Sequence, residues 1–212
     1  MRVAGVDEAG RGCLIGPLVI AGASFDPSNV LHLAELGVCD SKKLTKKKRQ
    51  QLISEIEITA KGIVYFDLQP WSIDFVVNRN IKLKKLNYLE AMGMAKVIRD
   101  LVPDLVYVDA SDVNAKRFEE SIYRVLPKHI RVVAEHKADD NYLVVSAASI
   151  LAKVRRDSII EKLIKINGNM GSGYPSDKQT MIWLEKYFKE NNTCPPFIRS
   201  SWQPVKRTLN KF

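Results

Sequence analysis

Five short apolar segments recur along this chain, and three of them end at acidic residues or are followed by them. The segments are residues 2–7, 17–25, 62–68, 104–109 and 130–135. Bounded apolar runs of this length are typical of buried strands. The acidic residues are Asp7 with Glu8, Asp109, and Asp139. Carboxylates at strand ends are displayed at the rim of a sheet, where they could converge on hard cations.

Helical spacing of apolar residues appears between and after these segments. The predicted helices begin after Thr45, Asn114 and Ser176, cover residues 82–101 and 144–154, and include the tail from Cys194. Ser176 with Gln179 three residues later has the pattern of a capping box. The resulting order is strand, strand, helix, strand, helix, strand, helix and strand, followed by helices only. This order favours an α/β fold, but it does not fix the order of strands in the sheet.

The length of 212 residues suits one domain, or one domain with a helical appendage. We expect residues 171–212 to form a small helical lobe packed on a domain of residues 1–170. No apolar stretch reaches the roughly 18 residues that a membrane span needs, and no signal peptide is expected. The three cysteines are widely spaced and include no Cys-x-x-Cys pair, so neither a zinc site nor a disulfide framework is expected. A reducing cytoplasm is the simplest location, and nothing demands more than a monomer.

The chain is basic, with 33 Lys and Arg against 24 Asp and Glu, a net charge of +9. Such a balance favours a polyanionic partner, although a soluble protein can also be basic without one. Acidic residues at a sheet edge on a basic protein indicate divalent metal and nucleic acid together, and therefore phosphodiester hydrolysis. Spacing alone does not show that residues 7, 109 and 139 meet. An Asp at a strand end also suits a turn or a cap, and Asp112 and Asp140 are nearby competitors.

Two further motifs point to an anion-binding surface. Gly10-Arg11-Gly12 follows the first acidic pair, and its backbone amides could cradle phosphate or hydroxyl groups, although a hairpin turn explains it equally well. It matches neither a Walker loop nor a dinucleotide fingerprint. Residues 42–49 contain six basic side chains, four of them in the first turn of a predicted helix, where cations oppose the helix dipole. Either a bound phosphate backbone or a merely solvated surface accounts for this basic run.

Ordered motifs along nearly the whole chain resemble the ribonuclease HII family, most of all its archaeal members. They are Asp7-Glu8-Ala9-Gly10-Arg11-Gly12 with Gly16-Pro17, Asp40-Ser41-Lys42-Lys43-Leu44, Val108-Asp109, His136-Lys137-Ala138-Asp139, Ser146 to Val154, and Gly171-Ser172-Gly173-Tyr174-Pro175-Ser176-Asp177. Each motif alone is modest, but six in this order are highly specific. The resemblance implies a ribonuclease H-like fold, with a mixed five-stranded sheet flanked by helices and a helical C-terminal part.

The same resemblance implies a function. Asp7, Glu8, Asp109 and Asp139 would be the catalytic carboxylates and would bind two Mg²⁺ or Mn²⁺ ions. The reaction would be endonucleolytic cleavage of RNA paired with DNA, leaving 3′-hydroxyl and 5′-phosphate ends. Similar family members also cut duplex DNA at a single embedded ribonucleotide.

Substrate contacts follow by position from the resemblance. Gly10, Arg11 and Gly12 would contact the 2′-hydroxyl and a phosphate through backbone groups, and Tyr174 would stack on the sugar after the scissile phosphate. An aromatic residue that anchors a loop is the alternative for Tyr174. The further phosphate contacts would be Lys42, Lys43, Ser149 and Lys153.

The tail offers a separate hypothesis about a partner. Leu209 and Phe212 have the spacing of the motif that docks on the replication sliding clamp. Lys206 stands where glutamine is usual, and the sequence ends before a second aromatic residue. The end of an amphipathic helix explains the same residues.

Two other classes of protein remain open from the residues. A nucleic-acid-binding protein without catalysis would explain the charge and the basic run, but it would not explain four acids on an anion-binding surface. Another metal nuclease of similar fold, such as a resolvase or an integrase, would be insensitive to RNA in its substrate.

Overall fold

The computed structural model describes residues 1–80, 85–191 and 193–211. Within them lies a mixed five-stranded sheet with the strand order β3-β2-β1-β4-β5. The strands are β1 (Val3–Ala9), β2 (Leu18–Phe25), β3 (Gly62–Leu68), β4 (Leu105–Asp109) and β5 (Arg131–Glu135). The first three strands pair antiparallel, whereas β4 runs parallel to β1 and β5 runs parallel to β4. The predicted α/β class and the mixed five-stranded sheet are confirmed.

Helices cover both faces of this sheet. They are α1 (Pro27–Glu35), α2 (Lys46–Thr59), α3 (Pro70–Asn78), α4 (Leu86–Leu101), α5 (Ala115–Tyr123), α6 (Ala138–Asn141), α7 (Leu143–Asn167), α8 (Lys178–Glu190) and α9 (Gln203–Leu209), with a 3₁₀ turn at Ser41–Lys43. None of the helices in the described part of the chain combines the length and apolar character needed to cross a bilayer.

The long helix α7 packs directly on β1 and β2. Gly5 makes this approach possible, because a Cβ atom at that position would lie 2.1 Å from the backbone carbonyl of Val144. Val145, Ile150 and Leu151 of α7 are fully buried against this face of the sheet. The close approach fixes the N-terminal half of α7 beside the acidic end of β1.

The opposite face of the sheet packs on α4 and α5. Met94 and Val97 of α4 and Phe118 of α5 are buried against strand residues that include Val6 and Val108. A third apolar cluster joins α8 and α9 to Leu14 and Ile15, the loop residues before β2. The C-terminal helices therefore pack beside the loop that follows β1, while a domain boundary at residue 170 stays a prediction.

Several local predictions are confirmed. Thr45 caps α2 by accepting a hydrogen bond from the Lys48 amide, and Asn114 caps α5 by accepting one from the Arg117 amide. The helix predicted over 144–154 is present and extends to Asn167. The helix predicted over 82–101 is observed as α4, and residues 82–84 lie outside the described residues.

Other local predictions are wrong. The cap of α8 is Asp177, whose side chain accepts from the Gln179 amide, and not Ser176. The first strand was predicted to end at Asp7, but pairing of β1 with β2 continues as far as Ala9, so Glu8 also lies inside the strand and not after it. Asp139 does not directly follow a strand, because it belongs to the short helix α6.

Three of the described helices were not predicted, namely α1, α3 and the four-residue α6. Of these, α1 and α3 begin with proline, at Pro27 and Pro70. Proline is easily taken for a helix breaker, yet its missing N–H has no intrahelical partner to lose at the first helical position.

Candidate active site

Strand pairing brings Asp7 and Asp109 to the same edge of the sheet. Val6 of β1 is in register with Val108 of the adjacent parallel strand β4, so the two following residues are neighbours. Both carboxylates line a cleft of about 300 Å³. Burial and then the charge of Asp109 raise the pKa of Asp7 to about 7, and burial raises the pKa of Asp109. Two desolvated carboxylates that repel each other form an environment that a bound cation would stabilise.

Glu8 also lines the cleft, but its surroundings differ from those of Asp7. Successive residues of a strand point to opposite faces, which places Glu8 towards α4 and its buried Glu90. Burial and the charge of Glu90 raise the pKa of Glu8 well above its usual value. One carboxylate oxygen of Glu8, Oε2, is buried and has no hydrogen-bond partner among the described residues.

Asp139 is held next to these groups by its position on α6. The backbone amide of Ala138 donates a hydrogen bond of 2.8 Å to Asp109 Oδ1, which ties α6 to the end of β4. Asp139 is 3% exposed and does not line the cleft itself. Its Oδ2 accepts a hydrogen bond of 3.0 Å from Lys42 Nζ, and Lys42 does line the cleft. A lysine ammonium therefore neutralises part of the acidic group in this structure.

The residues fit a divalent cation by their chemistry. Four carboxylates offer the oxygen ligands that Mg²⁺ and Mn²⁺ prefer. Glu8 Oε2, which has no hydrogen-bond partner among the described residues, is available as such a ligand. In the described part of the chain, no three His, Cys, Asp or Glu side chains are gathered closely enough to form a finished metal cage. Mg²⁺ usually retains several waters, so it does not require such a cage.

The loop of Gly10, Arg11 and Gly12 forms one wall of the cleft. Gly10 has a φ of +85°, and a Cβ atom there would lie 2.9 Å from the Pro17 carbonyl oxygen. Arg199, which is fully buried, donates hydrogen bonds of 2.7 Å to the carbonyl oxygens of both Gly10 and Arg11. No residue in the described part of the chain accepts a hydrogen bond from the backbone amide of Arg11 or Gly12. These amides remain available to a ligand.

The remaining predicted substrate contacts are mostly gathered around the same cleft. Ser149, Lys153 and Tyr174 line it. The Arg156 guanidinium lies 4.6 Å from the centre of the Tyr174 ring, which holds that aromatic side chain against the cleft wall. Lys43 does not line the cleft, because its ammonium pairs with Asp140 at 2.6 Å.

Three supporting residues were missed by the sequence analysis. Ser41 lines the cleft and its hydroxyl lies 2.9 Å from that of Ser149. Glu90 and Arg199 are both fully buried charges that contact the glycine-containing loop. Glu90 could have been noticed, since it interrupts the apolar face of α4, whereas Arg199 follows no recognisable pattern.

The sheet order and the acidic cleft at the edge of β1 and β4 define a ribonuclease H-like α/β protein. A crystal structure of ribonuclease H2 from Pyrococcus horikoshii has the same fold, with a TM-score of 0.90 and 43% identity over all of this chain and 98% of the other. The chain belongs to the ribonuclease HII family, whose family model matches residues 4–205. It is therefore a metal-dependent ribonuclease that hydrolyses RNA within RNA–DNA hybrids.

Two further relatives span the whole chain. Ribonuclease HII of Thermococcus onnurineus is 46% identical over 211 residues, which cover 100% of this chain and 91% of the relative. Ribonuclease HII of Archaeoglobus fulgidus, solved as a complex with PCNA, superposes with a TM-score of 0.86 and 37% identity over the full length of both chains. The archaeal-like family resemblance is thereby confirmed.

Proposed function

We propose that this chain cuts both RNA–DNA hybrids and DNA duplexes that contain a single ribonucleotide, on the 5′ side of the ribonucleotide. Asp7, Glu8, Asp109 and Asp139 serve as the catalytic carboxylates and bind two ions, Mg²⁺ or Mn²⁺. The products carry 3′-hydroxyl and 5′-phosphate ends. One observation carries this proposal. The desolvated carboxylates of Asp7 and Asp109, which repel each other, meet in the cleft beside the loop of residues 10–12.

The divalent ions, when bound, supply the positive charge that activates a water molecule and stabilises the leaving 3′-oxygen. The protein contributes the positions of the groups around them. Asp7 and Asp109 are fixed by neighbouring strands, and Asp109 is further oriented by the Ala138 amide. Lys42 pairs with Asp139 in this structure and would be free to contact a phosphate if Asp139 held a cation instead.

Selection of a ribonucleotide depends on the free amides of the loop. A 2′-hydroxyl is the group that distinguishes RNA from DNA at one position. Among the described residues, none accepts a hydrogen bond from the amides of Arg11 and Gly12, and apart from the two chain neighbours of Gly12 none has an atom within 4 Å of the place where its Cβ would stand. Tyr174 supports the sugar on the next residue, and Ser149 and Lys153 contact phosphates at the cleft. Lys43, which lies outside the cleft lining beside Asp140, contacts a phosphate beyond it.

Cleavage of a labelled DNA duplex with one ribonucleotide tests this function. We expect cutting with Mg²⁺ or Mn²⁺, none with chelator, and no cutting of the all-DNA duplex. Asp109→Asn should remain folded and lose at least 100-fold in rate. Asp104→Asn is the matched control, because Asp104 precedes the other end of β4 and its exposed carboxylate bonds, among the described residues, to the amide of Arg2 and the N-terminal amine. Equal cutting of both duplexes, or a near wild-type rate for Asp109→Asn, would contradict the proposal.

We also propose a role in ribonucleotide removal during replication and repair, for which the sliding clamp would be a suitable partner. The Archaeoglobus relative forms such a complex, and we propose the same for the tail of this chain through Leu209 and Phe212. Leu209 ends α9 and packs partly into the C-terminal apolar cluster, while Phe212 lies outside the described residues. Phe212→Ala should abolish clamp binding while it keeps Asn210 as the C-cap of α9 and the Lys211–Glu185 ion pair. Retained binding would remove this partner.

A further inference from the structure

The Arg11 side chain turns away from the cleft and towards α4. Its Nε donates a hydrogen bond of 3.0 Å to Glu90 Oε2, and its NH2 group donates one of 2.7 Å to Asn87 Oδ1. Two of the three guanidinium nitrogens are thereby bound to α4, while the side chain is 40% exposed. In this structure the guanidinium therefore anchors the loop to α4.

Glu90 is built to hold that guanidinium. Its carboxylate is fully buried, and Oε2 also accepts a hydrogen bond of 2.9 Å from the Ser111 hydroxyl. The other oxygen, Oε1, has no hydrogen-bond partner among the described residues. A buried carboxylate is tolerated only beside a compensating charge, and Arg11 is the cation paired with it. The two residues therefore constrain each other.

The second acceptor is itself fixed. Asn87 Nδ2 donates a hydrogen bond of 3.0 Å to Asp112 Oδ2, and the other oxygen of Asp112 accepts from the Asn114 amide at 2.9 Å. The anchor of Arg11 thus extends from the start of α4 to the cap of α5. Arg11 is 76 residues from Asn87 and 79 residues from Glu90 in the sequence, so these hydrogen bonds are tertiary contacts and not part of a local turn.

We propose that Glu90 is a positioning residue that acts through Arg11 to set the loop of residues 10–12 for ribonucleotide recognition. Arg11 anchors the loop by its side chain, so that the backbone amides of Arg11 and Gly12 meet the substrate. This inference rests on the proposed function and deepens it, because it assigns discrimination to an anchored backbone and not to an arginine–phosphate contact.

Binding to two duplexes separates this role from a purely structural one. Dissociation constants are measured with chelator for a one-ribonucleotide duplex and an all-DNA duplex over a series of salt concentrations. We expect Glu90→Met to reduce the preference for the ribonucleotide at least fivefold and to lower kcat with Mg²⁺ at least tenfold. Binding of the all-DNA duplex should not weaken. Glu119→Met, which removes a carboxylate from α5 away from the cleft, should change neither the preference nor kcat.

Two Arg11 variants complete the test. Arg11→Met should leave the salt slope of all-DNA binding unchanged, whereas a lost phosphate contact lowers it by about 1. Combining Glu90→Met with Arg11→Met should cause no loss beyond that of Arg11→Met alone, because both act through one contact.

Different outcomes would overturn the role of Glu90 and the proposed cleavage of ribonucleotide-containing duplexes. A wild-type protein that neither prefers nor cuts the ribonucleotide duplex would overturn both. A wild-type protein that does so, with an unaltered preference in Glu90→Met or additive losses in the double variant, would overturn only the role of Glu90. If Glu90→Met does not fold, the salt slope of Arg11→Met decides, and a fall of about 1 overturns the inference.

Discussion

At the scale of single residues, a substitution at Gly12 should impair cleavage without changing the stability of the fold. Apart from its two chain neighbours, no described residue would lie within 4 Å of a Cβ atom at Gly12, and the φ of Gly12 lies outside the left-handed region. Gly12→Ala should therefore change the free energy of unfolding by less than about 0.5 kcal/mol. Under the proposed function the added methyl group would meet the substrate sugar, so we expect at least a tenfold loss of ribonucleotide cleavage. Thermal unfolding and cleavage rates of the same preparation measure both effects, and an unimpaired rate would contradict the placement of substrate against this loop.

The raised pKa of Asp7 predicts a pH-dependent penalty in the metal-free protein. The folded state holds the pKa near 7 against an ordinary value of 3.8, so ionised Asp7 destabilises the fold most fully above pH 7. The penalty is relieved as the pH falls from 7 towards 4, where folded and unfolded chains are both protonated. Asp7→Asn should accordingly stabilise the metal-free protein by roughly 1–3 kcal/mol at pH 8.5 and by much less at pH 5. Denaturant unfolding with chelator at the two pH values measures this difference, and a larger stabilisation at pH 5 would contradict it.

At the scale of elements, the contact of β1 with α7 depends on Gly5. A Cβ atom at Gly5 would stand 2.1 Å from the Val144 carbonyl, and backbone atoms cannot yield as a flexible side chain does. Gly5→Ala should destabilise the protein by at least about 3 kcal/mol or displace α7. Gly62→Ala in β3 is the matched control, since its Cβ would make contacts no closer than 3.4 Å. Equal melting temperatures for the two variants would show that the packing of α7 is looser than this structure has it.

At the same scale, some structural features were predictable from residues close together in the sequence, and others were not. The strands were predictable because each is an apolar run with clear bounds, and the caps at Thr45 and Asn114 were predictable because their side chains bond amides three residues away. The meeting of Asp7 with Asp109 was not predictable from spacing, because it follows from β1 and β4 being neighbours in the sheet. The family resemblance named these residues as ligands, and the geometry supplies the physical reason why they lie together.

At the scale of the whole molecule, the C-terminal segment completes the cleft. Arg199 reaches across more than 180 residues to the Gly10 carbonyl, and Asp74 at α3 fixes the segment by accepting hydrogen bonds from Ser200 and Ser201. Such contacts leave no local trace in a sequence, so the glycine-containing loop is recognisable as a motif whereas the residues that support it are not. The helical C-terminal region thereby has a part in the geometry of the cleft as well as in packing.

The net charge of +9 is also a property of the whole molecule. Replacing basic residues at the start of α2 tests whether this part of the charge binds nucleic acid. Lys46, Lys47 and Lys48 occupy the first turn, where cations oppose the helix dipole. Lys46 pairs with Glu161 of α7, so this turn is held on the same helix that carries Ser149 and Lys153 to the cleft. A duplex that extends beyond the cleft along α7 would meet this turn. Replacing the three lysines by glutamine should weaken duplex binding in low salt and reduce the salt slope by up to about 3.

The same triple variant should melt within a few degrees of the wild type, because removing cations that oppose the helix dipole offsets the loss of the exposed Lys46–Glu161 ion pair. Weaker binding at nearly unchanged stability is the distinguishing result, since a general loss of structure would lower both. Replacing Lys96, Arg124 and Lys128 by glutamine gives a control with the same change in net charge on α4 and around α5. Equal losses of binding in both triple variants would show that total charge alone attracts the duplex, and an unchanged slope in the α2 variant would show that this surface lies outside the nucleic-acid path.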